Sequence, residues 1–362
     1  MKNRTRSKRF AGSAARRALI AAFVGLVMAA VAGIMAGSGS AAAPDHSGYG
    51  GYPPKAARFE TPKLEDGALV VRGTKASDKI ALRLAAGDPS VLQVDMGDDA
   101  SADFSFERSK VAKIDVKARA GNDLVRMDES NGTFTDTIQT TIEGGDGNDT
   151  IAGGKGVETL LGGRGNDSID GNGGNDRALL GAGNDTFIWD PGDGSDTIEG
   201  QAGRDTMLFN GASGTDQVEL SANGSRLKFF RVQGNITMDT AGVERVDFNA
   251  LGGADRVTVD NLAGTDVRSV NVDLAGAPGG AMADGAADQV IVNATDGNDA
   301  IGVSGDAAEL KVSGLAATTR VLHSEVAKDR LDVNTLAGTD SVSSAGLAAG
   351  AIQLFVDGLL VP

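Results

Sequence analysis

Residues 144–208 read GGDGNDTIA (144–152), GGKGVETLL (153–161), GGRGNDSID (162–170), GNGGNDRAL (171–179) and LGAGNDTFI (180–188). After Trp189 and Asp190 come PGDGSDTIE (191–199) and GQAGRDTML (200–208). The sixth residue of each nine-residue unit is an acid: Asp149, Glu158, Asp167, Asp176, Asp185, Asp196 and Asp205. Two residues after each acid stands an apolar residue: Ile151, Leu160, Ile169, Ala178, Phe187, Ile198 and Met207. The glycines that open each unit tolerate the positive φ of tight turns. The three residues that close it, polar-apolar-polar in most units, suit a short strand with one side chain pointing inward. Turn and strand, each taken twice, make a coil of eighteen residues. The stretch predicts a parallel β-roll.

Stacking at eighteen residues places Asp149, Asp167 and Asp185 in one acidic column, with Glu158 and Asp176 beginning a second on the opposite edge. Carboxylates at strand spacing repel one another by about 1 kcal/mol even in water, and by more when shielded from it. A hard cation removes that repulsion, and turn carbonyls with paired carboxylates supply the oxygen shell that calcium prefers. Ca2+ is therefore the expected cofactor. Its candidate ligands are Asp146, Asp149, Asp167, Asp176, Asp185, Asp193, Asp196 and Asp205, with Asn148, Asn166, Asn175, Asn184, Gly163, Gly165 and Gly183 from the turns. The asparagines tolerate left-handed backbone and offer a further oxygen. Two units depart from the pattern, one through Val157 and Glu158, the other through Asn172 and Ala178, and both are expected to bind less well.

From Gly144 to Leu208 the nonapeptide resembles the calcium-binding repeats of the repeats-in-toxin (RTX) family. The stretch FIWDPGDGSDTIEGQAGRDTMLFNG (187–211) is also similar to secreted bacterial proteins of hemolysin type, and the likeness runs on through SANGS (221–225) and FNALGG (248–253). The resemblance implies a calcium-bound roll on an exported protein.

Composition agrees with a solenoid. Aromatic residues are only 4% and glycines number 52 of 362, so a core of large side chains would be thin; in a solenoid each coil needs only its neighbours. The absence of cysteine rules out a disulfide framework and a thiol nucleophile. The net charge is −15, and the seven Lys and Arg of residues 1–43 have no acidic counterpart there, so the rest is more acidic still. Such a chain attracts multivalent cations and repels nucleic acid.

Five segments are expected. Residues 1–43 have the basic, then apolar (Ala18 to Ala36), then small-residue layout of an export signal. The apolar run is long enough to serve instead as an uncleaved anchor, but its alanines and glycines favour cleavage and a secreted product with no stable membrane insertion. Residues 44–57 read as a linker. Residues 58–143 hold the alternating runs ALVVRG, KIALRL, SVLQVDM and KIDVKARAG, with the acid-then-apolar signature at Asp78 and Asp123. Residues 144–210 are the roll. Residues 211–362 repeat the signature more widely at Asp216, Asp255, Asp299 and Asp340, while Asp266 carries Arg268 in place of the apolar residue. The fold class is all-β, a parallel β-roll flanked by β-solenoid segments or, second, a β-sandwich.

An enzyme is not expected. The two histidines, His46 and His323, stand outside any HExxH or GxSxG motif. The main rival is a polysaccharide-active β-helix, since paired acids can cleave glycosides; a surface adhesin or matrix protein is the third reading. Beyond calcium, the partner classes left open are a cell surface and a polysaccharide. Leu161 and Leu179 are expected to stack as a small apolar stripe on the outer face.

Overall fold

The computed structural model describes residues 59–362. The export signal and the linker expected at 1–43 and 44–57 lie outside the described residues.

The described residues wind between two facing sheets of fifteen and fourteen strands. Within the repeats the register is the one the period requires. Leu160 pairs in parallel with Ile142 on one side and Ala178 on the other, and Ile169 lies between Ile151 and Phe187 in the second sheet. Beyond Trp189 and Asp190 the next rung still pairs in step, Ala178 with Ile198 and Phe187 with Met207. All seven apolar residues of the units are fully buried, at 0% exposure. One inward side chain per short strand fills a narrow interior, so each coil is stable only against its neighbours.

Both sheets run through residues 144 and 210 without a break. Upstream, Val116 pairs in parallel with Ile142 and Val125 with Ile151, so the strands Lys113–Ala120 and Leu124–Asp128 are rungs of the same roll. The edge of the second sheet is a meander of Lys79–Ala85, Asp88–Met96 and Phe104–Glu107. Downstream the rungs lengthen, as expected for a solenoid. Val218 pairs with Val257, Val257 with Val290, and Val290 with Leu331, all parallel. Parallel pairing between successive rungs rules out the sandwich alternative. Antiparallel meanders interrupt the winding at Gln217–Ala241 in the first sheet and Ala300–Leu322 in the second.

The aromatic residues mark where the roll widens. Trp189, Phe209 and Phe248 share one register position of the second sheet, four residues after Asp185, Asp205 and Glu244, where the shorter strands of the tight coil have already ended. Trp189 stacks on Phe209 with centroids 3.9 Å apart, and Phe229 closes over Phe209 at 4.4 Å. On the outer face Leu161 and Leu179 are paired neighbours, flanked in register by Glu143 and Glu199. The expected apolar stripe is therefore two residues long and ends in charge on both sides.

Candidate metal centre

The acids of the first edge form a hydrogen-bonded ladder. The backbone N–H of Asp149 donates to Asp167 Oδ1 at 2.8 Å, that of Asp167 to Asp185 Oδ1 at 2.7 Å, and that of Asp185 to Asp205 Oδ1 at 2.9 Å. The ladder extends both ways beyond the repeats: Asp78 N–H donates to Asp123, Asp123 N–H to Asp149, and Asp205 N–H to Glu244. On the second edge Glu158 N–H donates to Asp176 and Asp176 N–H to Asp196. Past the first meander the ladder resumes from Asp216 to Asp255, Asp288 and Asp329. Each acid thus has a structural task, since a buried N–H left without a partner costs about 1–3 kcal/mol.

The asparagines run a second ladder in the opposite direction. Asn166 N–H donates to Asn148 Oδ1, Asn184 N–H to Asn166 Oδ1, Arg204 N–H to Asn184 Oδ1 and Ser195 N–H to Asn175 Oδ1. The side-chain oxygens of Asn148, Asn166, Asn175 and Asn184, expected as metal ligands, are committed to neighbouring backbone. Asp146 is likewise outside the column: its carboxylate is exposed and lies 4.0 Å from Arg164, because the third residue of the unit points to solvent.

With Oδ1 occupied, Oδ2 divides the turns into two kinds. At Asp78, Asp216, Asp299 and Asp329 it accepts the N–H of the residue four earlier: Thr74, Ala212, Thr295 and Glu325. Glu158 does the same through Oε2 with Gly154 at 3.1 Å. At Asp123, Asp149, Asp167, Asp176, Asp185, Asp205 and Asp255, Oδ2 is buried without a partner. In each of these the residue four earlier is left-handed: Arg119 (φ 85°), Gly145 (117°), Gly163 (114°), Asn172 (56°), Gly181 (116°), Gln201 (73°) and Leu251 (68°). That conformation turns the N–H away and leaves the carboxylate open. Gly163 thus keeps the turn open for Asp167, and Gly165 and Gly183, also left-handed, carry the stacked backbone one step further on.

Open carboxylates are electrostatically expensive. Burial first, and neighbouring acids second, push Asp123, Asp167 and Asp205 up to about 7 against the opposing pull of the N–H that each accepts. Asp149 is raised to about 6 by burial and by Asp146. Asp176 goes to about 9 through burial, Glu158 and Asp196. The open oxygens also face carbonyls. A Cβ on Gly144 would meet both Asp149 Oδ2 and the Gly162 carbonyl; one on Gly162 would meet Asp167 Oδ2 and the Leu180 carbonyl; one on Gly200, Asp205 Oδ2 and the Gly242 carbonyl. Partnerless carboxylate oxygens beside main-chain carbonyls form an all-oxygen donor set, which fits calcium. Among the described residues no three acidic or imidazole side chains converge as a metal-holding group, in keeping with a shell completed by the backbone.

A family model for the RTX calcium-binding nonapeptide repeat matches residues 141–157, 153–187 and 192–218, in four copies. The chain carries RTX calcium-binding repeats. Calcium is the ion that these repeats bind, and no curated protein matches the chain.

Beside the RTX block's second edge lies a group of acids that the period does not announce. Asp170 and Asp190 join Asp193 and Asp196: burial together with Asp190 and Asp196 pushes Asp170 up to about 7, and burial together with Asp170, Asp190 and Asp196 pushes Asp193 up to about 8. Asp193 Oδ2 accepts the Asp190 N–H at 2.6 Å, and Asn210 donates to Asp190 at 2.7 Å. Asp170 is the ninth residue of its unit, otherwise an ordinary outward strand position, and Asp190 belongs to the insert. Only the fold brings them together. Glu158 is raised by burial and keeps Oε1 open, but its longer side chain gives Oε2 to Gly154. Glu158→Asp is expected to raise calcium affinity or add an ion in titration calorimetry; an unchanged isotherm would mark this unit as metal-free.

Proposed function

We propose that the protein is an exported, non-catalytic calcium-binding roll whose ions couple metal binding to folding. The observation that carries this reading is the row of partnerless, buried Oδ2 atoms at Asp123, Asp149, Asp167, Asp185 and Asp205. Asp149, Asp167, Asp185 and Asp205, with carbonyls such as those of Gly162 and Leu180, would hold calcium on the first edge. Asp123 extends the row one turn before the matched repeats. Asp176, whose Oδ2 is likewise buried without a partner, would hold it on the second. Bound calcium supplies the positive charge that these buried carboxylates lack. Without it the acids repel and the turns open; because the set assembles only in the folded chain, binding energy becomes folding energy. Secretion rests on the layout of residues 1–43, and among the described residues no helix is long and apolar enough to cross a membrane.

The test is a calcium titration of the full chain after chelation, followed by circular dichroism and calorimetry. Calcium is expected to order the repeats, and magnesium, which demands tighter octahedral geometry and gives up water reluctantly, is not. Equal responses to the two ions would reduce the effect to charge screening.

A second reading, a carbohydrate-contacting surface, is favoured by a polar groove on the outer face of the second sheet. Arg204, Arg245, Arg268 and Arg320 line it with Asp247 and Asn271. Asp247, Asn271 and Arg320 lie in register across three strands, and His323 Nδ1 stands 2.7 Å from Asp273 Oδ1 beside them. Screening acidic and neutral polysaccharides for binding and for cleavage separates adhesion from catalysis.

A further inference from the structure

Asp255 stands in the widened half of the roll, outside the residues that match the RTX repeat. It is 2% exposed and its Oδ2 has no partner. Its Oδ1 is taken by the Asp216 N–H at 2.6 Å. The turn before it has the open form, with Leu251 at φ 68° and Gly253 at φ 113°.

Asp216 and Asp329, at the two ends of this column, have donors on both carboxylate oxygens. Asp216 meets the buried guanidinium of Arg231, whose Nε donates to Oδ1 at 2.7 Å, while Ala212 N–H takes Oδ2. Asp329 Oδ2 accepts the Glu325 N–H at 2.6 Å. Asp255 has neither device. The basic side chains nearby are directed elsewhere: Arg256 donates to Gln289, and Lys328 reaches the Gly285 carbonyl and lies 3.8 Å from Glu325.

Instead, a further acid comes to the turn. Asp284 Oδ2 accepts the Gly253 N–H at 2.9 Å, two residues from Asp255, and Asp284 Oδ1 accepts the Ala286 N–H at 2.7 Å. Two main-chain oxygens also lie close to glycines of this region. A Cβ on Gly252 would lie 3.6 Å from the Ser213 carbonyl and 3.8 Å from Asp284 Oδ2, and one on Gly276 would lie 3.6 Å from the Leu251 carbonyl. Asp255 itself lies buried in this turn with Oδ2 unpartnered. A buried charge of this kind is tolerated when it is paired or coordinates a metal.

We propose that the turn Leu251–Asp255, with Asp284 from the following rung, is a calcium site of its own in the C-terminal half of the roll. Its ligands are the Asp255 and Asp284 carboxylates, joined by main-chain carbonyls of the Ser213 and Leu251 turns. Such an all-oxygen set selects a hard dication over a softer one. The site depends on the left-handed turn and not on the nonapeptide spacing, so it can exist where the repeat has been lost.

The experiment counts calcium ions bound to the full chain, by equilibrium dialysis with calcium as the only added ligand. Asp255→Asn keeps an oxygen for the Asp216 N–H and removes the charge; Asp284→Ala removes the second carboxylate. Each is expected to lose one ion relative to wild type, while Asp299→Asn, in a closed turn, is expected to lose none. Should Asp255→Asn fail to fold, the half-buried Asp284 decides alone. Folded variants at Asp255 and Asp284 with the wild-type ion count would overturn this site and leave the RTX row standing. A wild-type chain that binds no calcium would overturn both.

Discussion

In calcium-free buffer the protein is expected to lose stability as the pH rises from about 4 to about 8, and in saturating calcium this trend is expected to reverse. The carboxyls of Asp123, Asp167 and Asp205 are raised from 3.8 to about 7 in the folded protein, and that of Asp149 to about 6. A group raised on folding binds more protons folded than unfolded, so its stabilising share is complete below the unfolded value and is lost as pH climbs through the folded one. One pKa unit corresponds to about 1.4 kcal/mol. A fall of even about 4 kcal/mol across the row would lower the melting temperature by roughly 6 °C in a chain of this size. Calcium needs the deprotonated acids, so its contribution grows over the same interval. Melting curves at pH 5, 6.5 and 8, with calcium removed by chelating resin or added in excess, check this directly. Parallel pH profiles in the two conditions would show that these acids are not where calcium acts.

The period of the repeats told most of the fold in advance. Seven acids followed two residues later by an apolar side chain can pack inward only if the chain coils, and the observed pairing of Leu160 with Ile142 and Ala178 is that coil. The same signature located Asp78 and Asp123 as rungs. It missed Asp288 and Asp329, which have the apolar residue two positions on but lack a preceding Gly-x, and Glu244, which follows Gly242 and Val243 but is a glutamate where most of the other turns carry aspartate. The sequence also could not tell an open turn from a closed one. Arg119, Gln201 and Leu251 adopt left-handed backbone without being glycine, because stacking on the neighbouring rung fixes the turn whatever the local preference. Nor could spacing show that Arg231 answers the charge of Asp216, since the two meet only when the meander Gln217–Ala241 folds back. The asparagine oxygens were legible as acceptors, but which group they would accept from is a property of the stack.

Asp167 is the acid whose replacement is expected to do most damage, and two variants separate its two tasks. Its Oδ1 holds the Asp149 N–H at 2.8 Å, its own N–H is held by Asp185 at 2.7 Å, and its Oδ2 is the open oxygen beside the Leu180 carbonyl. Asp167→Ala removes both the ladder acceptor and the metal ligand. It should therefore lose up to two calcium ions, one shared with the Asp149 turn and one with the Asp185 turn, and should shift calcium-dependent folding to higher concentration. It should also lower stability without calcium by about 1–3 kcal/mol, the usual result of stranding a buried donor. Asp167→Asn keeps an oxygen for the Asp149 N–H and removes only the charge. Its calcium count should fall as far as that of the alanine variant, yet without calcium at pH 8 it should be more stable than wild type, because the charge that burial disfavours is gone. Asp296→Ala, at an exposed acid outside both columns, should change neither quantity. If Asp167→Asn instead keeps the wild-type stoichiometry and midpoint, the open oxygen is no ligand, and the ladder alone explains why an acid stands at this position of the repeat.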